Sequence, residues 1–482
     1  MVPALTKLEP EELWKHFDRL AAIPRASSKE AAAREYARSV AARMGLEALE
    51  DNAGNLIVRK PGRPGRESAP TTLLQAHLDM VCEKNEATVH DFDKDPITLV
   101  RDGDWLKAEG TTLGADNGIG VAAALAVMES TDINHGPLEF VFTTEEETGL
   151  TGASEFVPGL LKSKYYLNLD NEETGTLCIG CAGGLNTTAH RKVKFVPATG
   201  ESAWRPKVTG LHGGHSGVDI HQGRGNAIRI LGALLLELLD RLPVELADVN
   251  GGSAHNAIPR EAVALVVLPS NRENELRSLV ATAEAAAKAE LGGFDSGLQI
   301  NVARAELPAK VMDPDSAKNT AAVLASLPQG ILVMSPDVPG LVQTSTNLAT
   351  VSTEGDIITI VASQRSAIAS SKELAARLVG TVCRLAGFEV QHWGSYPGWK
   401  PEPSSEVVEK LQTAHRKLFG QPAKLIAMHA GLECGVIGEK YPGMQMISLG
   451  PTIIDPHSPN ERVKISTVAD FWKLLKLALE TL

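Results

Sequence analysis

The sequence predicts an α/β domain into which a second, α+β domain is inserted. Short apolar segments typical of strands alternate with helical segments in the first third of the chain and again near its end, as in an α/β sheet with covering helices. Between these parts, strands of alternating polar and apolar residues flank long helices, which is typical of an α+β domain. The length of 482 residues exceeds the usual size of one hydrophobic core and favours two domains.

The change of pattern divides the chain into three parts. Residues 1–184 are predicted to form the first part of the α/β domain, residues 185–394 the α+β domain, and residues 395–482 the second part of the α/β domain. A similar order of helices and strands occurs twice within residues 185–394, so we expect two similar halves there. Insertion of a domain at a surface loop is physically tolerated.

The first part begins with two predicted helices. Residues 10–22 place large apolar side chains on one face, which predicts an amphipathic helix. Ser27 and Glu30 have the spacing of a capping box, which predicts the start of a second helix. Further along, strands are predicted at residues 56–58, 71–76, 138–143 and 165–169, with an alanine-rich helix at about residues 118–130.

The middle and last parts differ in the length and pattern of their elements. In the middle part, strands are predicted at residues 186–196, 262–268, 298–305 and 357–363, and helices at residues 226–242, 273–291, 320–327 and 372–385. In the last part, helices are predicted at residues 405–418 and 465–482, and strands at residues 424–428 and 444–448.

The composition excludes several classes of protein. A formal net charge of −12 argues against binding to nucleic acid or to an anionic membrane surface. No apolar run approaches the roughly 20 residues of a membrane span, and the N-terminus lacks the features of a signal peptide. The five cysteines are an odd number without a disulfide framework, and the Cys178 and Cys181 pair lacks further zinc ligands nearby. We therefore expect a cytoplasmic protein.

Residue types that bind metals follow several of the apolar, strand-like segments. His77 ends one such segment, Glu147 and Asp170 follow two others, and Asp116 and His457 lie in comparable positions. Single residues of these types are by default solvated surface groups. Side chains at strand ends, however, converge in one crevice of an open α/β sheet. The series therefore predicts a hydrolase with two metal ions, and His457 can join it only if the middle domain is an insertion.

Residues of these types can fill each role that a two-metal site requires. Such a site needs a carboxylate that bridges the metals and further imidazole or carboxylate ligands. Zinc suits this mixture of ligands, and cobalt or manganese are possible substitutes. Asp79 lies two residues after His77 on the same face of a strand, where it can orient the imidazole. Glu146 is a candidate general base, provided that the chain bends at Thr148 and Gly149 so that Glu147 also faces the site.

Several motifs resemble those of one peptidase family. The most informative are QAHLDMV at residues 75–81, TLGADNGIG at 112–120 and TEEETGLTGA at 144–153. They are followed in order by NLD at 168–170, GCAGG at 180–184, GGHSG at 213–217, HAGLECG at 429–435 and GPT at 450–452. Together they resemble the bacterial aminoacyl-histidine dipeptidases, in the larger group of two-zinc peptidases that includes peptidase V, peptidase T and the aminoacylases. The resemblance covers nearly the whole chain.

The resemblance implies a two-zinc peptidase catalytic domain with an inserted α+β lid domain. It also implies specific roles for residues of the catalytic domain. His77 and Asp170 would bind one metal, Glu147 and His457 the other, and Asp116 would bridge them. Asp79 would be the supporting carboxylate and Glu146 the general base.

The resemblance implies further roles in the lid domain. His215 and Asn256 would lie near the substrate or the oxyanion, although a turn role for His215 between its glycines is equally open. Arg365 is the candidate for binding the substrate carboxylate, because its guanidinium can hold both oxygens. Related lid domains often pair subunits, so a homodimer is one expectation, and a monomer with a doubled lid is the other. Near His457 the chain departs from the larger group, with Asp455 and Pro456 where small residues are common.

The predicted function is metal-dependent hydrolysis of dipeptides, including Xaa-His dipeptides such as carnosine. A metal-bridged water would attack the peptide bond, and Glu146 would accept its proton. An alternative is an aminoacylase-like amide hydrolase on the same scaffold, since a fold does not select a substrate. A metal-binding protein without catalysis is disfavoured by the presence of Glu146. Dinucleotide binding through residues 118–120 is disfavoured because a third glycine is missing.

Overall fold

The computed structural model describes residues 2–482, which pack into two compact units. The first unit contains the chain up to Gly180 together with Trp399–Ala427 and Leu432–Leu482, and the second contains Cys181–Gly398 and Met428–Gly431. The chain passes into the second unit slightly earlier, and leaves it slightly later, than the predicted change of pattern. The short return at Met428–Gly431 was not predicted. It is held by Ala182, whose N–H donates to the carbonyls of Met428 (3.0 Å) and Ala430 (3.1 Å).

Most helices agree with the predicted ones to within a few residues, but the helix predicted at residues 320–327 begins at Pro314, and the helices Thr151–Glu155 and Glu433–Lys440 were not predicted. The helices are α1 (Glu11–Ala21), α2 (Ala31–Arg43), α3 (Ala115–Glu129), α4 (Thr151–Glu155), α5 (Ala227–Arg241), α6 (Glu273–Leu291), α7 (Pro314–Ser326), α8 (Ala369–Leu385), α9 (Glu406–Phe419), α10 (Glu433–Lys440) and α11 (Ile465–Thr481). Within the described residues 2–482, no helix combines the length and the apolar character needed to cross a bilayer.

The strands include several that the sequence did not predict. They are β1 (Glu47–Glu50), β2 (Leu56–Lys60), β3 (Thr72–His77), β4 (Leu99–Asp102), β5 (Trp105–Ala108), β6 (Leu138–Thr143), β7 (Tyr165–Asn168), β8 (Thr176–Cys181), β9 (Gly183–Lys192), β10 (Phe195–Pro197), β11 (Ser202–Thr209), β12 (Gly214–His215), β13 (Glu245–Gly251), β14 (Ala257–Ile258), β15 (Ala262–Leu268), β16 (Gln299–Ala305), β17 (Lys310–Met312), β18 (Gly330–Met334), β19 (Val342–Glu354), β20 (Ile357–Ser366), β21 (Glu389–Tyr396), β22 (Lys424–Met428), β23 (Gln445–Ser448), β24 (Ile453–Ile454) and β25 (Arg462–Lys464).

The first unit is built on an eight-stranded sheet with the order β1-β2-β6-β3-β7-β23-β8-β22. Strand β3 is parallel to both β6 and β7, and β7 is parallel to β23. Every residue of β3, β6 and β7 is buried, as expected for parallel strands covered on both faces. The carboxyl ends of these strands therefore lie at one edge of the sheet, and this part of the structure confirms the predicted α/β class.

Helix α3 packs between α1 and strand β3. Nearly all of its residues are buried, and most are alanine, glycine or valine, whose small side chains allow close packing of neighbouring elements. Asp116 and Asn117 have non-helical backbone angles inside the first turn. The prediction of a helix from about residue 118 is thus correct for the regular part, and the preceding residues form a distinct turn that carries Asp116.

The second unit is built on a long antiparallel sheet with the order β16-β11-β15-β13-β19-β20-β9-β21, to which β18 adds beside β19. Strands β13 and β19 join its two portions through the pair Gly251 and Val351. Helices α5 to α8 pack against the sheet, and Trp204, Leu231 and Leu235 lie in the resulting core. The alternating burial of β11 and the long buried face of α5 explain the α+β pattern of the sequence.

One local prediction about the first unit was wrong. Ser27 does not cap α2, because its hydroxyl donates to Asp79 Oδ2 (2.8 Å) and the helix begins at Ala31 without a side-chain cap. Glu30 Oε1 accepts the N–H groups of Ser28 (2.8 Å) and Glu145 (3.1 Å). The serine and the glutamate that resemble a capping box therefore hold two other segments of the chain instead.

Candidate metal centre

The carboxyl edge of the sheet in the first unit brings the predicted ligands together. His77 is the last residue of β3, Glu147 follows β6, and Asp170 follows β7. Asp116 lies in the first turn of α3, and His457 lies in the loop between β24 and β25. Three overlapping groups, His77 with Asp116 and Asp170, His77 with Glu146 and Glu147, and Asp116 with Glu147 and His457, each offer ligand atoms within 4.8 Å of one another.

Asp116 lies between the two imidazoles. His77 Nε2 is 3.1 Å from Asp116 Oδ1, and His457 Nε2 is 3.1 Å from Asp116 Oδ2. The same nitrogen of each imidazole also lies near a second carboxylate, since His77 Nε2 is 3.4 Å from Asp170 Oδ1 and His457 Nε2 is 3.1 Å from Glu147 Oε2. Asp116 thus lies between two pairs, each made of one histidine and one carboxylate, and it presents a different oxygen to the histidine of each pair.

The donor set fits divalent metal ions. Imidazole nitrogens and carboxylate oxygens are the ligands that zinc takes in catalytic sites. Glu147 Oε1 is buried and has no hydrogen-bond partner among residues 2–482, although a buried carboxylate oxygen is costly to leave unpaired. His457 is half exposed, with 51% of its side chain accessible, so the cluster is open to solvent on that side.

Charges in the cluster are balanced only in part by the histidines. Burial raises the pKa of Asp170 to about 6. Burial, together with the carboxylates of Asp116 and Asp170, raises the pKa of Glu172 to about 9. Hydrogen bonds that His457 donates to the carboxylates of Asp116 and Glu147 raise the pKa of His457 to about 11. Burial is the largest cause for the two carboxyl groups, but nearby carboxylates add to the shift of Glu172 and cause that of His457, and this negative charge favours a cation in the cluster.

Asp79 joins the imidazole of His77 to the turn that follows β6. Its Oδ1 is 3.3 Å from His77 Nδ1 and accepts the N–H of Glu146 (3.1 Å), while its Oδ2 accepts the N–H of Glu147 (3.1 Å). Burial opposes its ionisation, but hydrogen bonds from His77 and Ser27 lower the pKa of Asp79 to about 2. The ionised carboxylate therefore fixes two neighbouring segments at once.

The bend that lets Glu146 and Glu147 face one site begins before the predicted position. Glu145 has a left-handed backbone with φ of 50°, and the carbonyl of Glu146 accepts the N–H groups of Gly149 (3.1 Å) and Leu150 (2.9 Å). Thr148 lies inside the resulting turn. Burial, with the carboxylates of Asp170 and Glu433 nearby, raises the pKa of Glu146 well above its ordinary value, and this outweighs the opposite effect of His77.

Asn117 holds Asp170 and was not predicted to have a role. Its side-chain amide donates to the carbonyl of Leu169 (2.9 Å) and to Asp170 Oδ1. A Cβ on Gly120 would lie 2.3 Å from Asn117 Oδ1 and 2.5 Å from the carbonyl of Leu169, so only glycine allows this approach. Both residues lie in the motif at 112–120, which was interpreted through Asp116 alone.

A buried polar network lies among the strands that lead to the site. Glu433 accepts hydrogen bonds from Gln75 Nε2 and Thr143 Oγ1 (2.8 Å), and Gln75 Oε1 accepts from Tyr166 (2.7 Å) and Asn168 (2.7 Å). Burial raises the pKa of Glu433 to about 7. The sequence feature that could have revealed this network is the glutamine inside the apolar strand that ends at His77, because a buried amide needs hydrogen-bond partners.

Arg365 is the centre of a second cluster, which lies in the second unit. Only 7% of the residue is exposed, and its Nη1 donates to the Tyr396 hydroxyl (2.8 Å). Its Nε is 3.4 Å from Ser216 Oγ, and its Nη2 is 3.5 Å from His215 Nε2. Among residues 2–482, no carboxylate lies within 4.0 Å of the Arg365 guanidinium. A buried and unpaired cation of this kind is suited to an anionic ligand.

His215 and Asn256 lie in the same part of the second unit. His215 Nδ1 accepts the N–H groups of Gly217 (3.2 Å) and Val218 (3.0 Å), which leaves the ring proton on Nε2. Burial and the nearby Arg365 lower the pKa of His215 to about 4, so the ring is a neutral donor. Asn256 has an exposed side chain, and its backbone carbonyl accepts the N–H of Ser216 (2.8 Å).

His429 was not predicted to belong to this cluster. Its Nε2 is 2.7 Å from Ser345 Oγ, and its ring is buried. Burial and the charge of Arg365 lower the pKa of His429 to about 3. The only sequence signal was its place in the motif at 429–435, far along the chain from Arg365.

The loop that carries His457 has an unusual backbone and an exposed acidic residue. Asp455 and His457 both have left-handed backbones, with φ of 55° and 59°, on either side of Pro456. Asp455 is exposed, and its Oδ2 lies 3.8 Å from Arg462 Nη2. Solvent and this arginine screen its charge.

Comparison with known proteins places the chain among peptidases. The family model described as peptidase family M20/M25/M40 matches residues 73–481. The cytosol non-specific dipeptidase of Escherichia coli (strain K12) is 39% identical over 473 residues, which cover 98% of this chain and 97% of that protein.

Solved structures agree with this placement. The crystal structure of aminoacylhistidine dipeptidase from Vibrio alginolyticus superposes with a TM-score of 0.93 at 40% identity, covering 99% of this chain and 97% of the other. The aminopeptidase PepT of Bacillus cereus shares the fold, with a TM-score of 0.58 at 17% identity over 98% of this chain and 99% of the other. These similarities confirm the predicted fold class and the resemblance based on the motifs. The chain belongs to peptidase family M20/M25/M40, and it is a metallopeptidase.

Proposed function

We propose that the protein hydrolyses dipeptides, among them dipeptides with a C-terminal histidine, at a centre with two zinc ions. The observation that carries the two-metal proposal is the position of Asp116. Its Oδ1 is 3.1 Å from the His77 imidazole, and its Oδ2 is 3.1 Å from the His457 imidazole. The dipeptide substrate is supported by the names of the relatives in Escherichia coli and Vibrio alginolyticus. The word cytosol in the first of these names also supports a cytoplasmic location.

His77 and Asp170 would hold one metal ion, and Glu147 and His457 the other, with Asp116 shared between them. When bound, the ions supply a Lewis acid for the scissile carbonyl and a water that is nucleophilic near neutral pH. The unpaired Glu147 Oε1 supports this ligand set, because a metal would satisfy a buried oxygen that lacks a hydrogen bond. Cobalt or manganese could replace zinc with the same ligands.

Glu146 is proposed as the general base. Its neighbour Glu147 faces the cluster, and both backbone N–H groups are held by Asp79. Glu146 would accept a proton from the attacking water and then give it to the leaving amine, so it needs a carboxyl group that exists in both forms near neutral pH. Asp79 would orient the His77 imidazole through Nδ1, which leaves Nε2 for the metal.

Arg365 and His215 are proposed to bind the substrate. A dipeptide carries a free carboxylate, and the buried Arg365 lacks a carboxylate partner among the described residues. The Nε2–H of the neutral His215 is a donor for a carbonyl oxygen or for the oxyanion that forms from it. Asn256 is proposed as a further contact, with its exposed side-chain amide free to follow the substrate.

A panel of substrates with controlled metal content tests the proposal. The protein is treated with a chelator, and zinc, cobalt or manganese is added back separately before hydrolysis of Xaa-His dipeptides, other dipeptides and N-acyl amino acids is measured. We expect no activity after chelation and restored cleavage of dipeptides, with slower cleavage of N-acyl amino acids. Preference for N-acyl amino acids would instead identify an aminoacylase-like enzyme, and no metal-restored cleavage would contradict the proposal.

A further inference from the structure

Glu461 is a buried carboxylate near the end of the loop that carries His457. Only 2% of the residue is exposed, and its N–H donates to the carbonyl of Ser458 (3.0 Å), which closes the loop after His457. The sequence assigned it no role. Its side chain extends from this loop to the turn at the start of α3, which lies more than 300 positions earlier in the chain.

The carboxylate of Glu461 accepts four consecutive backbone N–H groups. Its Oε2 accepts from Leu113 (2.7 Å) and Gly114 (2.9 Å), and its Oε1 accepts from Ala115 (2.7 Å) and Asp116 (3.2 Å). Hydrogen bonds to an ionised carboxylate are about twice as strong as neutral ones. The backbone of the turn that presents Asp116 is therefore tied, residue by residue, to the loop that presents His457.

Arg25 holds the same turn through one carbonyl group, that of Gly114. Its Nη1 donates to the carbonyls of Leu78 (3.0 Å) and Asp79 (3.0 Å), and its Nη2 donates to the carbonyl of Gly114. Gly114 has φ of 69°, and a Cβ there would lie 2.5 Å from Arg25 Nη2. Arg25 thus connects this turn to the segment after His77, while Glu461 connects it to the loop of His457.

We propose that Glu461 is a positioning residue that sets the distance and orientation between the Asp116 carboxylate and the His457 imidazole. The inference deepens the proposed function and rests on it, since it assumes that these two side chains share a metal ion. Asp116 Oδ2 and His457 Nε2 are 3.1 Å apart on two segments that are far apart in sequence. Without the hydrogen bonds that the Glu461 carboxylate accepts, the Asp116 turn would lose this link to the His457 loop.

The substitution Glu461→Gln tests this role with little change in shape. The amide keeps one acceptor oxygen but places an NH2 group against two N–H donors, so half of the hydrogen bonds are replaced by repulsion. We expect zinc affinity to fall by roughly 10- to 100-fold, the usual effect of losing a group that supports a metal ligand. The affinity is measured by competition with a chromophoric chelator on protein whose circular dichroism matches wild type. We also expect kcat to fall while KM for a dipeptide changes little.

Glu139→Gln is the matched control. Glu139 is also a buried glutamate of the first unit, and its Oε2 accepts the N–H groups of Lys162 (2.9 Å) and Ser163 (3.1 Å) and the Ser163 hydroxyl (2.6 Å). It lies near the start of β6, at the opposite end of that strand from Glu146. We expect Glu139→Gln to lower the melting temperature while zinc affinity stays at the wild-type value. If Glu461 had a purely structural role, Glu461→Gln would likewise lower the melting temperature and leave the zinc affinity unchanged.

Glu461→Asp gives a second test if Glu461→Gln does not fold. Aspartate keeps both acceptor oxygens but is shorter by one methylene, so we expect a folded protein with weaker zinc binding than wild type. If every folded Glu461 variant binds zinc as tightly as the wild-type protein, the inference is wrong. The proposed function would still stand in that case, provided that the wild-type protein binds zinc and cleaves dipeptides. If wild-type protein itself binds no zinc, the proposed function fails, and this inference fails with it.

Discussion

The surroundings of the two clusters shift the pKa values of their histidines in opposite directions. In the first unit, Asp116 and Glu147 raise the pKa of His457 to about 11. In the second unit, burial and the charge of Arg365 lower the pKa of His215 to about 4. The first cluster is an acidic environment that attracts cations, and the second is a basic environment that attracts an anion. This difference supports the proposals that the first cluster holds metal ions and that the second binds the substrate carboxylate.

The largest predicted effect concerns the acidic cluster. Glu146→Gln removes the proposed base but leaves the ligands in place, so kcat should fall by about 10²- to 10⁴-fold, the range of general base catalysis. Zinc content, measured by atomic absorption, should remain at the wild-type level. The same change one residue earlier, Glu145→Gln, is the control and should leave kcat nearly unchanged. Near-normal turnover in Glu146→Gln would contradict the role of Glu146.

The next effect concerns the basic cluster. Arg365→Lys keeps the charge but loses the planar fork that binds two carboxylate oxygens. A hydrogen bond to a charged group contributes about 1.5–3 kcal/mol, so kcat/KM for a dipeptide should fall by roughly 10- to 150-fold. A dipeptide amide, which has no free carboxylate, should be a poor substrate of wild type and should lose little further in the variant. Equal losses for the acid and the amide would show that Arg365 does not bind the carboxylate.

The smallest predicted effect is a dependence of stability on pH that arises in the basic cluster. The pKa of His429 is lowered to about 3 in the folded protein and lies near 6.5 in an unfolded chain. The neutral ring therefore contributes stability above about pH 6.5, and this contribution is lost progressively as the pH falls toward 3, by up to about 1.4 kcal/mol per pH unit.

Replacement of the histidine isolates this contribution. The melting temperature of His429→Gln should fall less than that of wild type between pH 7 and pH 5, because glutamine does not titrate. Differential scanning calorimetry at the two pH values measures the difference. An equal decrease in wild type and variant would mean that His429 takes up no proton on unfolding in this range.

The contrast between the clusters also explains what the sequence could predict. His77, Glu147 and Asp170 follow buried parallel strands whose ends must meet at one sheet edge, so their proximity follows from the α/β pattern. Asp116 and His457 lie in turns, and their assignment depended on motif resemblance. The strand pattern fixes direction and burial, whereas the turn geometry depends on hydrogen bonds to distant residues such as Glu461.

The basic cluster was less predictable for a physical reason. Arg365 lies inside β20, and His429 comes from the short segment Met428–Gly431 that returns to the second unit. No local period marks that return, because the neighbouring strand β22 and helix α10 belong mostly to the first unit. The buried network around Glu433 was missed for a similar reason, since its partners come from β3, β6 and β7 and become neighbours only in the folded sheet.

The central claim is that Asp116 is shared by two metal ions, and X-ray diffraction at the zinc absorption edge tests it most directly. Crystals grown with zinc should show two anomalous peaks about 3.5–4 Å apart. Each peak should contact one oxygen of Asp116, one beside His77 and Asp170 and the other beside Glu147 and His457. A single peak, or peaks that do not contact Asp116, would contradict the account.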